Sequence, residues 1–261
     1  AQIKEIVGET VSLCYSMKAN PFFVPAMITC VDKLEVCSPG ELTICKKLGV
    51  DASRIIYSGV NKEIPDIKEA YEYGVGTFTA ESVRQADLIQ QVVETAAAGE
   101  KAEVILRLNS GSQFGMSKED LLTILQCRES KYTSLNFTGI HYFVGTQRKR
   151  AKRKIKELQM LLELFEEIQN KYGLKDVAPG ITAPPIHPNC RCTLVPYFED
   201  DDFEDTLYPV KELKDTLKQV AQQVDLTIEM GRFFTAECGT YYTNVADLKT
   251  VGNAHYCILD G

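Results

Sequence analysis

Lys18 follows the apolar run Val11-Ser12-Leu13-Cys14-Tyr15 by three residues, and Asn20-Pro21 then break the chain. A lysine at the carboxyl end of a buried strand stands where α/β barrels keep their chemistry. Partial burial of the ammonium is expected to lower its pKa, which readies the amine as a nucleophile or Schiff-base partner. The plainer alternative is a snorkelling side chain with its head in water. A second cluster, His187, Cys190 and Cys192, has H-x2-C-x-C spacing and offers three soft ligands, one short of a closed zinc site. Clustered ligands without a fourth more often bind no metal. Two charge runs, Arg148 to Lys154 and Glu199 to Asp205, read as solvated surface, with an acidic partner or a cation as their functional alternatives.

Positioning such a lysine requires a strand with helices behind it, and the rest of the chain supplies that pattern. Strand-like segments are Val11 to Tyr15, Leu34 to Cys37, Ile55 to Tyr57, Gly76 to Thr79, Val104 to Leu108, Leu135 to Tyr142 and Leu226 to Glu229. Helix-like segments are Phe22 to Val31, the stretch opened by Ser38-Pro39, Lys62 to Tyr73, Glu81 to Ala98, Lys118 to Cys127, Lys149 to Tyr172 and Val210 to Val224. Strands alternating with helices predict a parallel sheet wrapped by helices. Ser38 with Pro39 predicts a helix start, because serine satisfies orphan amides and proline suits the first turn.

The 261 residues suit one (β/α)8 barrel, for which roughly 250 are typical. A net charge of −7 argues against a general nucleic-acid partner. No apolar run approaches the roughly 18 residues that span a bilayer, so no membrane role is expected. Nine scattered cysteines fit a reducing cytoplasm better than a disulfide framework.

Five segments in order share one resemblance. Tyr15-Ser16-Met17-Lys18-Ala19-Asn20 is similar to Y-x-x-K-A-N, and Val36-Cys37-Ser38-Pro39-Gly40-Glu41-Leu42 to V-A-S-x-G-E-L. Arg107-Leu108-Asn109 with Gln113-Phe114-Gly115-Met116 is similar to R-x-N followed by K-F-G-M. Gly139-Ile140-His141-Tyr142-Phe143-Val144-Gly145-Thr146-Gln147 is similar to G-I-H-x-H-V-G-S-Q, and Glu229-Met230-Gly231-Arg232-Phe233-Phe234 to E-P-G-R-Y-F. Together they resemble the fold-type III pyridoxal-phosphate decarboxylases, of the diaminopimelate and ornithine type, with the alanine racemases more distant. The resemblance implies an alanine racemase-like (β/α)8 TIM-type barrel over residues 1–261 and pyridoxal 5'-phosphate as cofactor. It also implies an amino-acid substrate, decarboxylation, and a homodimer.

Residue by residue, it implies that Lys18 bonds the cofactor and that Glu229 stands at the pyridine nitrogen, where a carboxylate strengthens the electron sink. Gly231, Arg232 and Thr146 fall at the phosphate end. His141 reads equally as a cofactor contact or a satisfied core histidine. Gly40 and Glu41 are adequately explained as a helix N-terminus.

Three departures qualify the match. Phe143 occupies the position of the ring-stacking histidine; it can stack but cannot carry a proton. Residues 175–194, rich in proline, replace a glycine-rich phosphate loop and so remove backbone donors. Within them, Thr182 to Leu194 resembles a short motif of phage head-morphogenesis proteins. The family's β-rich carboxyl-terminal domain, which completes its partner subunit's site, is expected to be lacking. These departures keep open two other readings: a catalytically incomplete barrel that binds or dimerises, and a metal-binding or phage-derived module around His187, Cys190 and Cys192.

Overall fold

The computed structural model describes residues 2–96, 100–143, 151–172, 181–183, 213–231, 245–251 and 254–259. Eight parallel strands close into a barrel in chain order. They are β1 (Val11–Ser16), β2 (Lys33–Val36), β3 (Ile55–Tyr57), β4 (Thr77–Ala80), β5 (Ala102–Leu108), β6 (Leu135–Tyr142), β7 (Ile181–Ala183) and β8 (Leu226–Met230). Pairing of β1 with both β2 and β8 makes the closure. The helices are α1 (Gln2–Val7), α2 (Val24–Met27), α3 (Pro39–Lys47), α4 (Ile64–Tyr73), α5 (Val83–Thr95), α6 (Lys118–Gln126), α7 (Ala151–Tyr172) and α8 (213–221). Two further strands, β9 (Val245–Val251) and β10 (Ala254–Leu259), form a separate antiparallel pair.

Each strand has two faces, and their chemistry differs. Leu13 and Tyr15, Leu34 and Val36, Ile55 and Tyr57, Val104 and Leu106, and Ile228 and Met230 belong to one large apolar cluster shared with the helices. The opposite phase carries Cys14, Ser16, Glu35, Ile56, Thr79, Ile105, Arg107, His141 and Glu229. Register matches these residues side by side, as in Ser16 with Glu35, Cys14 with Glu229, and Arg107 with His141. Cys14, Ile56 and Ile105, from alternate strands, form their own small cluster. Such layers fill barrel interiors. Beyond that apolar plug, toward the carboxyl ends of the strands, the same phase turns polar.

Helices start where serines end the strand-to-helix turns. Ser38 Oγ accepts from the Glu41 amide at 3.3 Å, Ser82 Oγ from Gln85 at 3.2 Å, and Ser117 Oγ from Asp120 at 3.0 Å. Each cap is worth about 1 kcal/mol. Glu63 and Asp66 form a reciprocal capping box at α4, and Gly74 ends that helix at φ 88°.

Some expected boundaries are corrected. The helix expected from Phe22 to Val31 is a 3-10 turn, Pro21–Phe23, followed by the four-residue α2. Val24-Pro25 supplies a helix start, but Pro25 cannot continue a hydrogen-bond ladder from the turn before it. Helix α5 begins at Val83 rather than Glu81, because Ser82 is its cap and Glu81 turns inward. The atypical stretch 175–194 contains β7, and its remaining residues lie outside those described, as do His187, Cys190 and Cys192. Among the described residues no helix is long and apolar enough to cross a membrane.

Candidate active site

Strand β1 ends at Ser16, and the 3-10 turn Met17–Ala19 carries Lys18 just beyond it. That turn is braced from both sides. Tyr15 Oη donates to the Asn20 carbonyl at 2.7 Å, and the Asn20 side chain accepts from the Phe22 amide at 3.1 Å. This explains the spacing of tyrosine, lysine and asparagine in one motif. Gly231 closes against the same turn: a Cβ there would lie 3.1 Å from Ala19 Cβ and 3.1 Å from the Ser16 carbonyl oxygen. Small residues at positions 19 and 231 therefore let the ends of β1 and β8 meet.

Register then decides which groups surround Lys18. Its strand lies between β2 and β8, so Glu35 and Glu229 flank it. Lys18 Nζ is 3.5 Å from Glu35 Oε2, with the lysine side chain 55% exposed and the glutamate 3% exposed. The ammonium also donates to Cys37 Sγ at 3.9 Å. Ser16 Oγ donates a short hydrogen bond to Glu35 Oε2. His141 Nε2 lies 3.5 Å from Glu229 Oε2, and both side chains are buried.

Two neighbouring buried carboxyl groups oppose one another's ionisation. Burial and the charge of Glu35 hold the Glu229 carboxyl above its ordinary range. Burial acts on Glu35 in the same sense but is outweighed there by Lys18, a hydrogen bond with Glu229, His141 and Ser16, and its carboxyl is held far below the usual range. The pair thus divides the site, with ionisation favoured at Glu35 and disfavoured at Glu229. Glu35 was not singled out from the sequence. Its signal was a carboxylate three residues before the serine cap, between the apolar Leu34 and Val36 of a strand.

The expected lowering of the Lys18 pKa is overturned. Burial does oppose its charge, but the fields of Glu35 and Glu229 outweigh burial and hold the ammonium above the ordinary lysine value. A lysine with half its side chain in solvent and carboxyl groups beneath it stays protonated. The site also holds a lysine of the opposite kind. Lys62, wholly buried, donates to the Gly59 carbonyl at 2.6 Å and to Gln85 Oε1 at 3.3 Å, and burial pushes it down to about 8.

Across the mouth, Arg107 Nη1 donates to Glu81 Oε1 at 2.6 Å, both largely buried. Removing one partner of such a pair costs about 3–5 kcal/mol, because the other is left charged and unpaired. The Arg107 guanidinium lies 5.0 Å from the Phe114 ring centre and 5.8 Å from that of Phe143.

Of the residues expected from the sequence, Lys18, Glu229, His141 and Gly231 come together around the ends of β1, β6 and β8. Phe143 follows β6, half-buried, and Thr146 and Arg232 lie outside the described residues. Glu41 Oε2 accepts from the Cys37 amide at 2.8 Å, so it secures the β2–α3 turn, as a helix N-terminus requires. The donor set fits an aldehyde-bearing pyridine at two of its ends. A reachable amine and a buried carboxyl whose ionisation is disfavoured are present, and His141 Nδ1 is buried without a hydrogen-bond partner among the described residues.

Residues 1–178 match the family model described as pyridoxal-dependent decarboxylase, pyridoxal binding domain. The chain is 25% identical to a diaminopimelate decarboxylase of Aquifex aeolicus, over 95% of this chain and 60% of that protein. It is 27% identical to a lysine/ornithine decarboxylase of Selenomonas ruminantium, over 94% and 61%. A crystal structure of diaminopimelate decarboxylase from Helicobacter pylori, complexed with L-lysine, superposes with a TM-score of 0.75, at 18% identity. That superposition covers 100% of this chain and 67% of the other. The chain thus spans about 60% of the length of these curated relatives. A match over 178 of 261 residues, on a closed parallel barrel with its lysine at the mouth, establishes that this chain belongs to the pyridoxal-dependent decarboxylase family.

Proposed function

We propose that the chain is the cofactor-binding barrel of a pyridoxal 5'-phosphate-dependent amino-acid decarboxylase acting on diaminopimelate or a closely related diamino acid. The observation that carries this reading is the division of labour between two carboxyl groups on either side of the Lys18 strand. Glu35 pairs with the amine at 3.5 Å, while Glu229 contacts His141 at 3.5 Å and has its ionisation disfavoured by burial and by Glu35. When bound, the cofactor supplies an electron sink for the carbanion left as carbon dioxide departs.

Lys18 is the covalent attachment point, and Glu35 is the carboxylate in reach of its ammonium proton. That 3.5 Å separation is looser than a working proton-transfer contact, as is common in ligand-free sites. Glu229 would serve the pyridine nitrogen, and His141 Nε2 keeps that carboxyl oriented. Phe143 offers a ring to stack on. Gly231, Thr146 and Arg232 serve the phosphate end. Cys14, Cys30, Cys37, Cys45 and Cys127 are free thiols, which suits a cytoplasmic protein, and a homodimer accords with the family resemblance.

A second reading, a barrel that binds cofactor without turnover, is favoured by Phe143, which cannot relay a proton. The experiment that tests both adds pyridoxal phosphate to the purified chain, follows visible absorbance, reduces with borohydride and locates the adduct by peptide mass. An adduct on Lys18, lost in Lys18→Ala, supports the cofactor role, and carbon dioxide release from diaminopimelate separates the two readings. An adduct on Lys62 instead, or none in a folded chain, overturns the assignment. Zinc analysis of the same preparation tests the module around His187, Cys190 and Cys192.

A further inference from the structure

Arg107 is used by none of the steps above, yet it is one of the few charged groups on the interior face of the barrel mouth. It pairs in register with His141, and its charge is felt by Lys18. Its guanidinium is not free to bind an anion, because Glu81 holds it at 2.6 Å. Glu81 is itself held in place: its amide donates to Gln85 Oε1 at 2.9 Å, and the same oxygen accepts from Lys62. Gln85 Nε2 in turn donates to the Val60 carbonyl at 2.9 Å. The β3–α4 and β4–α5 turns are thereby tied together behind the one carboxylate that holds this cation.

That cation is spent on rings. It lies 5.0 Å from the centre of Phe114 and 5.8 Å from that of Phe143, both within cation–π range. Phe143 stands one residue beyond the end of β6 and is half-buried, so the ring is not consumed by core packing. Its backbone is also pinned, since Ser110 Oγ donates to the Phe143 carbonyl. An aromatic ring without a hydrogen-bonding group has no polar anchor of its own. Here the anchor is supplied from behind by a guanidinium.

We propose that Arg107, held by Glu81, is a positioning residue that fixes the Phe143 ring as the stacking surface for the cofactor's pyridine ring. The inference rests on the cofactor reading above. It adds that a phenyl ring works at this position because the cation beside it sets the ring's orientation.

The test separates positioning from simple stability. Arg107→Gln alone strands the Glu81 carboxylate, so the measured variant is the neutral pair Arg107→Gln with Glu81→Gln, which leaves no buried charge unpartnered. The readouts are the pyridoxal phosphate dissociation constant, the position of the bound cofactor's visible absorbance band, and the thermal midpoint without cofactor. We expect a near-parental midpoint, about tenfold weaker cofactor binding and a shifted band. Phe143→Leu should reproduce the loss, and adding the neutral pair to Phe143→Leu should weaken binding no further. Parental affinity and band in the neutral pair would overturn the positioning role while leaving the Lys18 assignment intact. So would losses that add in full to those of Phe143→Leu. Failure of the parent chain to form any Lys18 adduct would overturn both.

Discussion

At the scale of single residues, the site is governed by two buried carboxyl groups whose ionisation is pulled in opposite directions. Glu229 is raised by burial and by Glu35, so the folded chain binds its proton more tightly than the unfolded chain does. The sign follows from linkage: a carboxyl raised on folding adds stability at low pH and withdraws it as pH rises through the folded value. The window opens near the ordinary glutamate value of 4.5 and extends upward until Glu229 ionises. Glu35, lowered on folding, acts in the opposite direction and below that window. Glu229→Gln keeps the shape and a hydrogen-bonding amide but cannot titrate. Urea midpoints of the cofactor-free parent should therefore fall relative to Glu229→Gln as pH rises from 4.5, and a constant difference across that range would refute a proton on Glu229. The same variant should still form a Lys18 adduct but with a shifted visible absorbance band, since an amide cannot titrate beside the ring.

At the scale of elements, the meeting of the β1 and β8 ends is set by the small side chains opposite one another. A methyl at position 231 would press on Ala19 Cβ and on the Ser16 carbonyl, both at 3.1 Å. Overpacking of this kind costs about 1–3 kcal/mol. Gly231→Ala should lower the thermal midpoint and slow adduct formation by displacing the Lys18 turn. Adding Ala19→Gly should recover part of both, because it removes one of the two contacts, and strict additivity of the pair would count against direct packing. Such contacts mark the limit of what the chain reveals before it is folded. Strand and helix order was legible because hydrophobic runs alternate with serine-capped helices, and β6 was read to the residue as Leu135 to Tyr142. Lys18 and Glu229 were legible through their motifs. Glu35 and the Glu81–Arg107 pair were not, since inward-facing charges on short strands declare themselves only once register places them together. The Lys18 pKa was misjudged for the same reason: desolvation can be guessed from a strand end, but the carboxyl groups opposing it come from other strands. The antiparallel strands β9 and β10 were not read from the sequence.

At the scale of the whole molecule, closure depends on its shortest contributors. Strand β7 has three residues, Ile181–Ala183, inside a proline-rich stretch that carries no other sign of a strand. It nevertheless bridges β6 and β8, pairing Thr182 with His141 on one side and with Thr227 on the other. His141 and Glu229 sit on the two strands that β7 joins, so their 3.5 Å contact spans the seam. A proline at position 182 removes a backbone donor from a strand paired on both sides, where proline is otherwise confined to edges and bulges. Thr182→Pro should open the barrel between β6 and β8, and Thr182→Val, which keeps the donor and favours a strand, should not. The measurement is a urea titration followed by far-ultraviolet circular dichroism, in parallel with the yield of Lys18 adduct. We expect Thr182→Pro to lose adduct and cooperativity together, because an opened barrel leaves β8, which carries Glu229, paired to β1 alone. Retention of a parental midpoint with a parental adduct would mean that the seam contributes nothing to holding the site. The position of Glu229 would then have to be set by its pairing with β1 alone.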